Sequence, residues 1–128
     1  MINKFLEDFY KTISFECGES FKSQKFKEFF LPNAVLMENN DGEYAQKTID
    51  EHIAEFDVAI RDYPHLFIKG FHEVQTDYSL IENEDCILVS SKYQKNYFRN
   101  GEDITEYGTN NMIIVRCNDE YKIASILW

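Results

Sequence analysis

The segment TIDEHIAEFDVAIRDYP, residues 48–64, decides how the chain is organised. Thr48 and Glu51 have the spacing of a capping box, in which the threonine hydroxyl accepts a hydrogen bond from the Glu51 amide and the glutamate side chain reaches back to the Thr48 amide. Apolar residues then recur at helical spacing until Pro64, which cannot continue a helix; they are Ile49, Ile53, Phe56, Ile60 and Tyr63. The pattern predicts an amphipathic helix with one buried face.

Two more helices are predicted on the N-terminal side of this segment. The first ends at Cys17-Gly18, where glycine supplies the left-handed geometry of a helix end. Its apolar stripe consists of Ile2, Phe5, Leu6, Phe9 and Ile13. A shorter helix begins at Ser20 or Ser23 and is closed by Pro32. Its inward residues are Phe26, Phe29 and Phe30.

Strand patterns occupy the rest of the chain. The apolar run Ala34–Met37 predicts a short strand that ends in the polar stretch Glu38–Gly42. After Pro64 the apolar period changes to two, which predicts long strands; they span Leu66–Asn83, Cys86–Phe98, Ile104–Cys117 and Tyr121–Trp128. The breaks between them have hairpin chemistry, and Asn100-Gly101 is the strongest turn signal. Helices followed by a meander predict one α+β domain over residues 1–128, with the helices packed on one face of a curved antiparallel sheet.

Composition excludes several classes of partner. The chain has 128 residues, 44% of them hydrophobic, which is enough for one buried core. Its net charge of −10 repels phosphate backbones and anionic lipid headgroups, so neither nucleic acid nor a membrane is expected as a partner. Cys17, Cys86 and Cys117 lie far apart without metal-ligand spacing, which favours a reduced, cytoplasmic location. No phosphate loop, nucleophile elbow, zinc motif or dinucleotide fingerprint occurs, so no cofactor is expected.

The order and spacing of these elements resemble a known superfamily. Three stretches carry the resemblance: Phe30-Leu31-Pro32-Asn33-Ala34-Val35, Glu51-His52-Ile53-Ala54-Glu55-Phe56, and the closing strand from Tyr121-Lys122-Ile123 to Trp128. They are similar to the nuclear-transport-factor-2-like superfamily, which includes SnoaL-like polyketide cyclases, ketosteroid isomerases and scytalone dehydratase. The resemblance implies a cone-shaped, cystatin-like α+β barrel, with three helices from the N-terminal half packed on the concave face of the sheet. It also implies an apolar pocket inside the cone and a homodimer across the outer face.

Comparison with the ketosteroid isomerases of this superfamily implies a set of site residues. The stretch Asn33–Glu38 falls on their first-strand motif, which places Glu38 at the carboxylate base. Asn110 falls where that family has an acid that donates to the substrate oxygen, and Tyr10 falls near its oxyanion tyrosine. Each residue also has a structural interpretation: a solvated strand-end acid, a strand-edge amide and a core tyrosine, respectively. The expected pocket walls are Phe56, Ile60, Met112, Ile126 and Trp128.

Several other polar side chains have roles that the sequence leaves open. His52 is interpreted as a helix-flank histidine bonded to a neighbouring acid, with a pocket base as the alternative. Tyr93, Tyr97 and Tyr107 are either pocket hydroxyls or members of cross-strand pairs.

The expected function is proton transfer without a cofactor on a small apolar compound that bears a carbonyl group or a ring, as in an isomerase, cyclase or dehydratase. Glu38 is the expected base, with Asn110 and Tyr10 as polarising donors. The alternative is a non-catalytic module of the same fold that binds a ligand or assembles with a partner. Met112 and Ile113 make one strand apolar on both faces, so a second copy of the chain is expected to cover the outer face.

Overall fold

The computed structural model describes residues 1–128 as three α-helices and one six-stranded sheet, which confirms the α+β class. The helices are α1 (Ile2–Ile13), α2 (Ser23–Lys27) and α3 (Ile49–Asp62). The strands are β1 (Phe30–Asn40), β2 (Glu43–Lys47), β3 (His72–Glu82), β4 (Ile87–Arg99), β5 (Glu102–Cys117) and β6 (Glu120–Leu127). No helix is long and apolar enough to cross a membrane.

The capping box at the start of α3 is confirmed. The Thr48 hydroxyl accepts from the Glu51 amide at 3.1 Å, and the Thr48 amide donates to the Glu51 carboxylate at 3.1 Å. Two of the otherwise unpaired donors at the helix start are thereby satisfied. Helix α3 ends at Asp62, and Pro64 opens a single turn of 3-10 helix that leads towards β3.

The sheet has the strand order β2-β1-β6-β5-β4-β3. Neighbouring strands are antiparallel except β1 and β6, which run parallel, so the expected all-antiparallel sheet is wrong at this one pair. The first and last long strands meet in the interior of the sheet because β6 inserts between β1 and β5. Helix α1 packs against β3 and α3 packs against β1, so both cover the concave face.

The sequence does not predict strand β2, because the residues around it are mostly polar, as in a loop. The turn before it has positive φ angles at Asp41 (53°) and Gly42 (92°), and the Gly42 amide donates to the Asn39 side chain at 2.8 Å. These residues form a tight hairpin turn. Strand β2 lies at the edge of the sheet and is mostly exposed, so it needs no apolar alternation to form.

The first helix is shorter than the sequence predicts. It ends at Ile13, and Ser14 is already extended, with a φ of −87° and a ψ of 144°. Phe15 then pairs with Phe71 through two backbone hydrogen bonds of 2.8 Å. The expected end at Cys17-Gly18 is wrong because this long-range pairing pulls the chain out of the helix one turn earlier.

Two other expected boundaries are also wrong. Pro32 does not close α2, which ends at Lys27, because Pro32 lies inside β1. The β1–β6 pairing shifts register between Phe30 and Val35, and a bulged strand tolerates a residue without an amide donor. Strand β3 begins at His72 rather than at Leu66, since the intervening residues form the 3-10 turn.

The core lies between the helices and the concave face of the sheet. Its most deeply buried side chains come from both layers, and each is at most 1% exposed; they are Leu6, Phe9, Leu36, Ile114 and Ile123. Phe9 stacks against Phe26 and meets Phe30 edge-on. This aromatic packing forms part of the core, and Phe9 and Phe26 also line a hollow between the helices and the sheet.

Candidate active site

A cavity of about 240 Å³ lies inside the cone, lined by fifteen residues of which ten are hydrophobic. The other five lining residues are Glu38, His52, Glu73, Lys95 and Asn110, and Tyr93, which is counted among the ten hydrophobic residues, adds a phenol hydroxyl. An apolar cavity of about 150 Å³ already holds benzene. The space therefore suits one substituted ring or an acyclic molecule of similar size. A larger depression of about 1120 Å³ between α1 and β3 is lined mainly by polar and charged side chains, and it opens to solvent.

The two cavity carboxylates lie on opposite walls. Glu38 is on β1 and Glu73 is on β3, four strand positions apart in the sheet, and Asn110 on β5 is midway between them. Each strand step is about 4.8 Å, and curvature of the sheet brings the walls towards each other. A ligand in the cavity therefore has Asn110 beneath it and one carboxylate towards each end.

Asn110 is held by a buried hydrogen-bond chain. Its amide donates to the Tyr10 hydroxyl at 3.0 Å, that hydroxyl lies 2.7 Å from the Ser91 hydroxyl, and Ser91 donates to Gln75 at 2.7 Å. Since the Ser91 proton goes to Gln75, the Tyr10 proton must go to Ser91. Burial raises the pKa of Tyr10 to about 12, so the phenol stays protonated.

Tyr10 thus lies beside Asn110, as the resemblance implies, but the tyrosine has a different role. Its single proton is already donated inside the protein, and Tyr10 does not line the cavity. Tyr10 therefore positions the Asn110 amide and has no proton left for a ligand oxygen. The second amide hydrogen of Asn110 remains on the cavity side, next to Glu73.

Glu73 is the cavity group whose acidity is most changed by its surroundings. Burial raises the pKa of its carboxyl to about 7, against the opposing effects of the Lys95 charge and the Asn110 amide. About half of these carboxyls carry a proton at neutral pH. Such a group can both take and return a proton without a large energetic cost in either direction.

Tyr93 supplies a hydroxyl that is free to meet a ligand. It lines the cavity and stays outside the Tyr10–Asn110 chain. Burial, reinforced by the charge of Glu73, raises the pKa of Tyr93 to about 12, so the phenol keeps its proton. This settles the open question about the strand tyrosines, since Tyr97 donates to Glu106 and Tyr107 is 75% exposed.

The Tyr93 ring lies directly over Gly108, its cross-strand partner on β5. A methyl group at residue 108 would lie 2.3 Å from the Tyr93 hydroxyl oxygen, so Gly108→Ala must displace the phenol. We expect this variant to bind a small ketone such as acetophenone at least about 10-fold more weakly, because the displaced phenol no longer donates to it. Tyr93→Phe is the matched variant and should lose a similar factor, with thermal melts confirming that both fold. Unchanged affinity in both variants would exclude Tyr93 from the site.

The opposite end of the cavity holds Glu38 next to a buried lysine. The Lys47 ammonium lies 2.6 Å from the Glu55 carboxylate, 3.9 Å from Glu38 and 5.7 Å from the centre of the Trp128 ring. Lys47 shares its charge between two acids, so Glu38, whose side chain is 34% exposed, has a positive neighbour.

His52 also lines this end, but not as the sequence predicts. Its Nδ1 is buried without a hydrogen-bond partner, while its ring contacts the Trp128 ring edge-on at 5.2 Å. The expected bond to a neighbouring acid is therefore wrong. The nearby acids Glu38 and Glu55 are directed to Lys47 instead.

The hydrophobic walls agree in part with the expected set. Phe56, Ile126 and Trp128 line the cavity, whereas Ile60 and Met112 do not. Met112 packs into the core beneath the cavity floor and is 2% exposed. Ile60 misses the cavity because only the first two turns of α3 reach it, at His52 and Phe56.

Solved structures share this architecture over nearly the whole chain. A candidate scytalone dehydratase from Novosphingobium aromaticivorans superposes with a TM-score of 0.74 at 13% identity, covering 98% of this chain and 78% of the other. A protein from Nostoc punctiforme, described as having a cystatin-like fold and no known function, gives 0.69 at 12% identity, with 98% and 85% covered. The chain has the cystatin-like fold.

This is the fold that the resemblance described above implies, so the expected cystatin-like fold is confirmed. A candidate ketosteroid isomerase from Shewanella frigidimarina superposes with a TM-score of 0.65 at 12% identity, covering 98% of this chain and 91% of the other. No protein-family model and no curated protein matches the sequence. Since one fold supports many chemistries, the reaction must be argued from the cavity itself.

Proposed function

We propose that the protein is a cofactor-independent acid–base catalyst that moves a proton on a small carbonyl compound, as an isomerase, cyclase or dehydratase does. The observation that carries the proposal is the Glu73 carboxyl, which faces a mainly apolar cavity with a pKa raised to about 7. A carboxyl with that pKa is matched to proton transfer at neutral pH.

The proposed reaction begins with proton abstraction from a carbon next to the carbonyl. Glu73 takes the proton, and the electron pair of the C–H bond passes into an enolate whose negative charge rests on oxygen. The amide hydrogen of Asn110 that lies next to Glu73, which the carboxyl holds less strongly once it is protonated, and the phenol of Tyr93 donate to that oxygen. Glu73 then returns the proton to a different carbon in an isomerisation, or to a departing hydroxyl in a dehydration.

The charge and size of the cavity narrow the substrate class. Lys95 offsets the charge of Glu73 at one end, and Lys47 offsets that of Glu38 at the other. A neutral substrate therefore fits better than an anion or a cation. A volume of about 240 Å³ excludes multi-ring compounds in favour of a single ring.

Glu38 remains the competing base, as the resemblance to ketosteroid isomerases implies. It lines the same cavity as Asn110, so a ligand carbonyl held by Asn110 can present its α-carbon to either wall. Glu73 is preferred because burial raises its pKa to about 7, whereas the Glu38 side chain is 34% exposed and lies 3.9 Å from the Lys47 ammonium.

The direct test is proton exchange, which requires no knowledge of the physiological substrate. Cyclohexanone and acetophenone, which have one ring each, are incubated with the protein in D₂O, and loss of the α-proton signal is followed by NMR. We expect catalysed exchange of at least one ketone above the buffer rate. Absence of exchange for every ketone, combined with tight binding of one of them, would replace this proposal with the binding module described next.

A non-catalytic ligand-binding module of the same fold is the second candidate. Ten hydrophobic lining residues suffice to hold a small apolar molecule without chemistry.

We also expect the protein to form a homodimer through the outer face of the sheet. Leu88 pairs with both Ile81 and Ile113, and all three side chains are exposed there. This patch carries no charge in a chain of net charge −10, so a second copy can cover it without bringing like charges together.

Sedimentation equilibrium should give a dimer for the native chain and a monomer for Ile113→Lys. Tyr107→Lys, an exposed change outside the patch, should stay dimeric. A native chain that is monomeric at about 100 μM would contradict the expectation.

A further inference from the structure

The His52 end of the cavity contains a polar atom without a partner. Nδ1 of His52 is the one buried side-chain nitrogen or oxygen in the structure that has no hydrogen-bond partner. Buried polar atoms are normally paired, so an exception at a cavity wall needs a physical explanation. The proposed proton transfer does not use His52.

The unpaired nitrogen determines which tautomer His52 adopts. A buried N–H without an acceptor costs more than a buried lone pair without a donor, so the proton is expected on Nε2 rather than on Nδ1. Nδ1 is shielded, which leaves Nε2 as the nitrogen through which the ring can meet a ligand. His52 therefore faces the cavity as a hydrogen-bond donor.

Its surroundings keep the ring neutral. Burial lowers the pKa of His52, and the Lys47 charge acts in the same direction, while Glu55 and Glu38 oppose it. The rings of Trp128 and Phe26 contact the imidazole at 5.2 and 6.0 Å, which limits its rotation. A fixed, neutral donor is thus held at the end of the cavity away from Glu73.

Glu38 places an acceptor next to this donor. Both side chains line the same end of the cavity, and the Glu38 carboxylate is close enough to act on the charge of His52. A ligand hydroxyl is the group that satisfies both, because it accepts from Nε2 and donates to a carboxylate. A ketone or ether oxygen would satisfy only His52.

We propose that His52 and Glu38 bind a ligand hydroxyl, so that the substrate is a small ring compound with a carbonyl at the Asn110–Glu73 end and a hydroxyl at the other. The location of the carbonyl end rests on the proposed function, whereas the hydroxyl site follows from the His52–Glu38 pair alone. His52 is then a specificity-determining residue that distinguishes hydroxylated from apolar rings of equal size.

The test measures binding of matched probes by calorimetry. 4′-Hydroxyacetophenone, 4′-methoxyacetophenone and 4′-methylacetophenone have similar sizes but present a hydroxyl, an acceptor alone and no polar group. We expect the native protein to bind the hydroxyl compound about 10-fold or more tightly than the methyl compound, with the methoxy compound between them. His52→Phe should abolish this preference while changing affinity for the methyl compound by less than about 2-fold.

His52→Gln provides a second variant, since its amide can replace the Nε2 donor, and it should retain part of the preference. Equal losses for all three probes in His52→Phe would mean that His52 only supports packing, and would overturn the proposal. So would a native protein that binds the three probes equally or binds none of them.

An independent measurement is the ¹⁵N NMR spectrum of the histidine side chains at neutral pH. We expect the Nε2–H tautomer for His52 in the free protein and a shift of the Nε2 resonance when 4′-hydroxyacetophenone is added. The Nδ1–H tautomer, or a charged ring, would overturn the inference. Neither measurement requires turnover. If the hydroxyl preference is absent while Glu73-dependent proton exchange is observed, only the His52 site is refuted. Conversely, a preserved preference without exchange refutes only the proposed catalysis.

Discussion

Replacing Glu73 with glutamine is expected to reduce catalysed α-proton exchange by about 10²–10⁴-fold, the usual contribution of a positioned general base. Glutamine keeps the size and polarity of the side chain but cannot accept the proton. In the native protein the rate should rise with pH through about pH 7, where half of the Glu73 carboxyls are ionised, and level off about one to two pH units higher. Binding of acetophenone by calorimetry should change little, since the carbonyl donors remain.

Glu38→Gln is the matched control, because it alters the other cavity carboxyl in the same way. We expect it to reduce exchange far less than Glu73→Gln does. The reverse result, with Glu38→Gln inactive and Glu73→Gln active, would assign the base to Glu38, as the sequence comparison implies. Equal, small effects of both changes would show that neither carboxyl is the base.

The same carboxyl should make the protein less stable as the pH rises. The pKa of Glu73 is raised from 4.5 to about 7 in the folded protein. Between these values the unfolded chain releases the proton while the folded protein keeps it, so the free energy of unfolding falls with increasing pH. Below about pH 4.5 the penalty is absent, and above about pH 7 it is complete. Its size is on the order of 3 kcal/mol.

Other acids also repel one another as they ionise, since the net charge is −10, so the comparison must be between variants. Urea unfolding at pH 4.5 and pH 7.5 should show that Glu73→Gln gains stability relative to the native protein at the higher pH by on the order of 3 kcal/mol. Glu38→Gln should show no comparable gain. If the native protein and Glu73→Gln had parallel pH dependences, the folded carboxyl would titrate normally and would be a poor base at neutral pH.

Local signals in the sequence are sufficient for much of the fold. The Thr48–Glu51 box sets the start of α3, and Asn100-Gly101, with positive φ angles of 51° and 80°, forms the turn between β4 and β5. What local signals miss depends on distant partners. Strand β2 forms because β1 is available to pair with it, and α1 stops early because Phe15 pairs with Phe71.

The site is harder to predict because the alternation of inward and outward side chains is interrupted within β3. The register shifts between Gln75 and Asp77, which marks a bulge. Counting by twos from Tyr78, which packs against the core, would put Val74 inside and Glu73 outside. The bulge reverses this order: Val74 is exposed and Glu73 lines the cavity. No residue in the sequence indicates where the extra position falls.

For a similar reason, the sequence does not show which of Tyr10 and Tyr93 has a hydroxyl that is free to meet a ligand. Tyr10 is adjacent to Phe9, whereas Tyr93 lies between Lys92 and Gln94, and only the hydrogen-bond chain through Ser91 shows that the Tyr10 proton is already used. The space that Tyr93 occupies exists because Gly108 is its cross-strand partner. Recognising that requires the register of β4 against β5, which no local pattern supplies.

The interior position of β6 has a consequence for biosynthesis. Until Glu120–Leu127 leaves the ribosome, the β1–β2 hairpin has no neighbour, and the β3–β5 meander presents an open apolar edge. The two halves of the sheet can join only when this strand arrives, so the cone should close late, after most of the polypeptide has been synthesised. A nascent chain that stalls before residue 120 would then expose two unpaired strand edges that can bind other chains, and chaperones should be needed most at that stage.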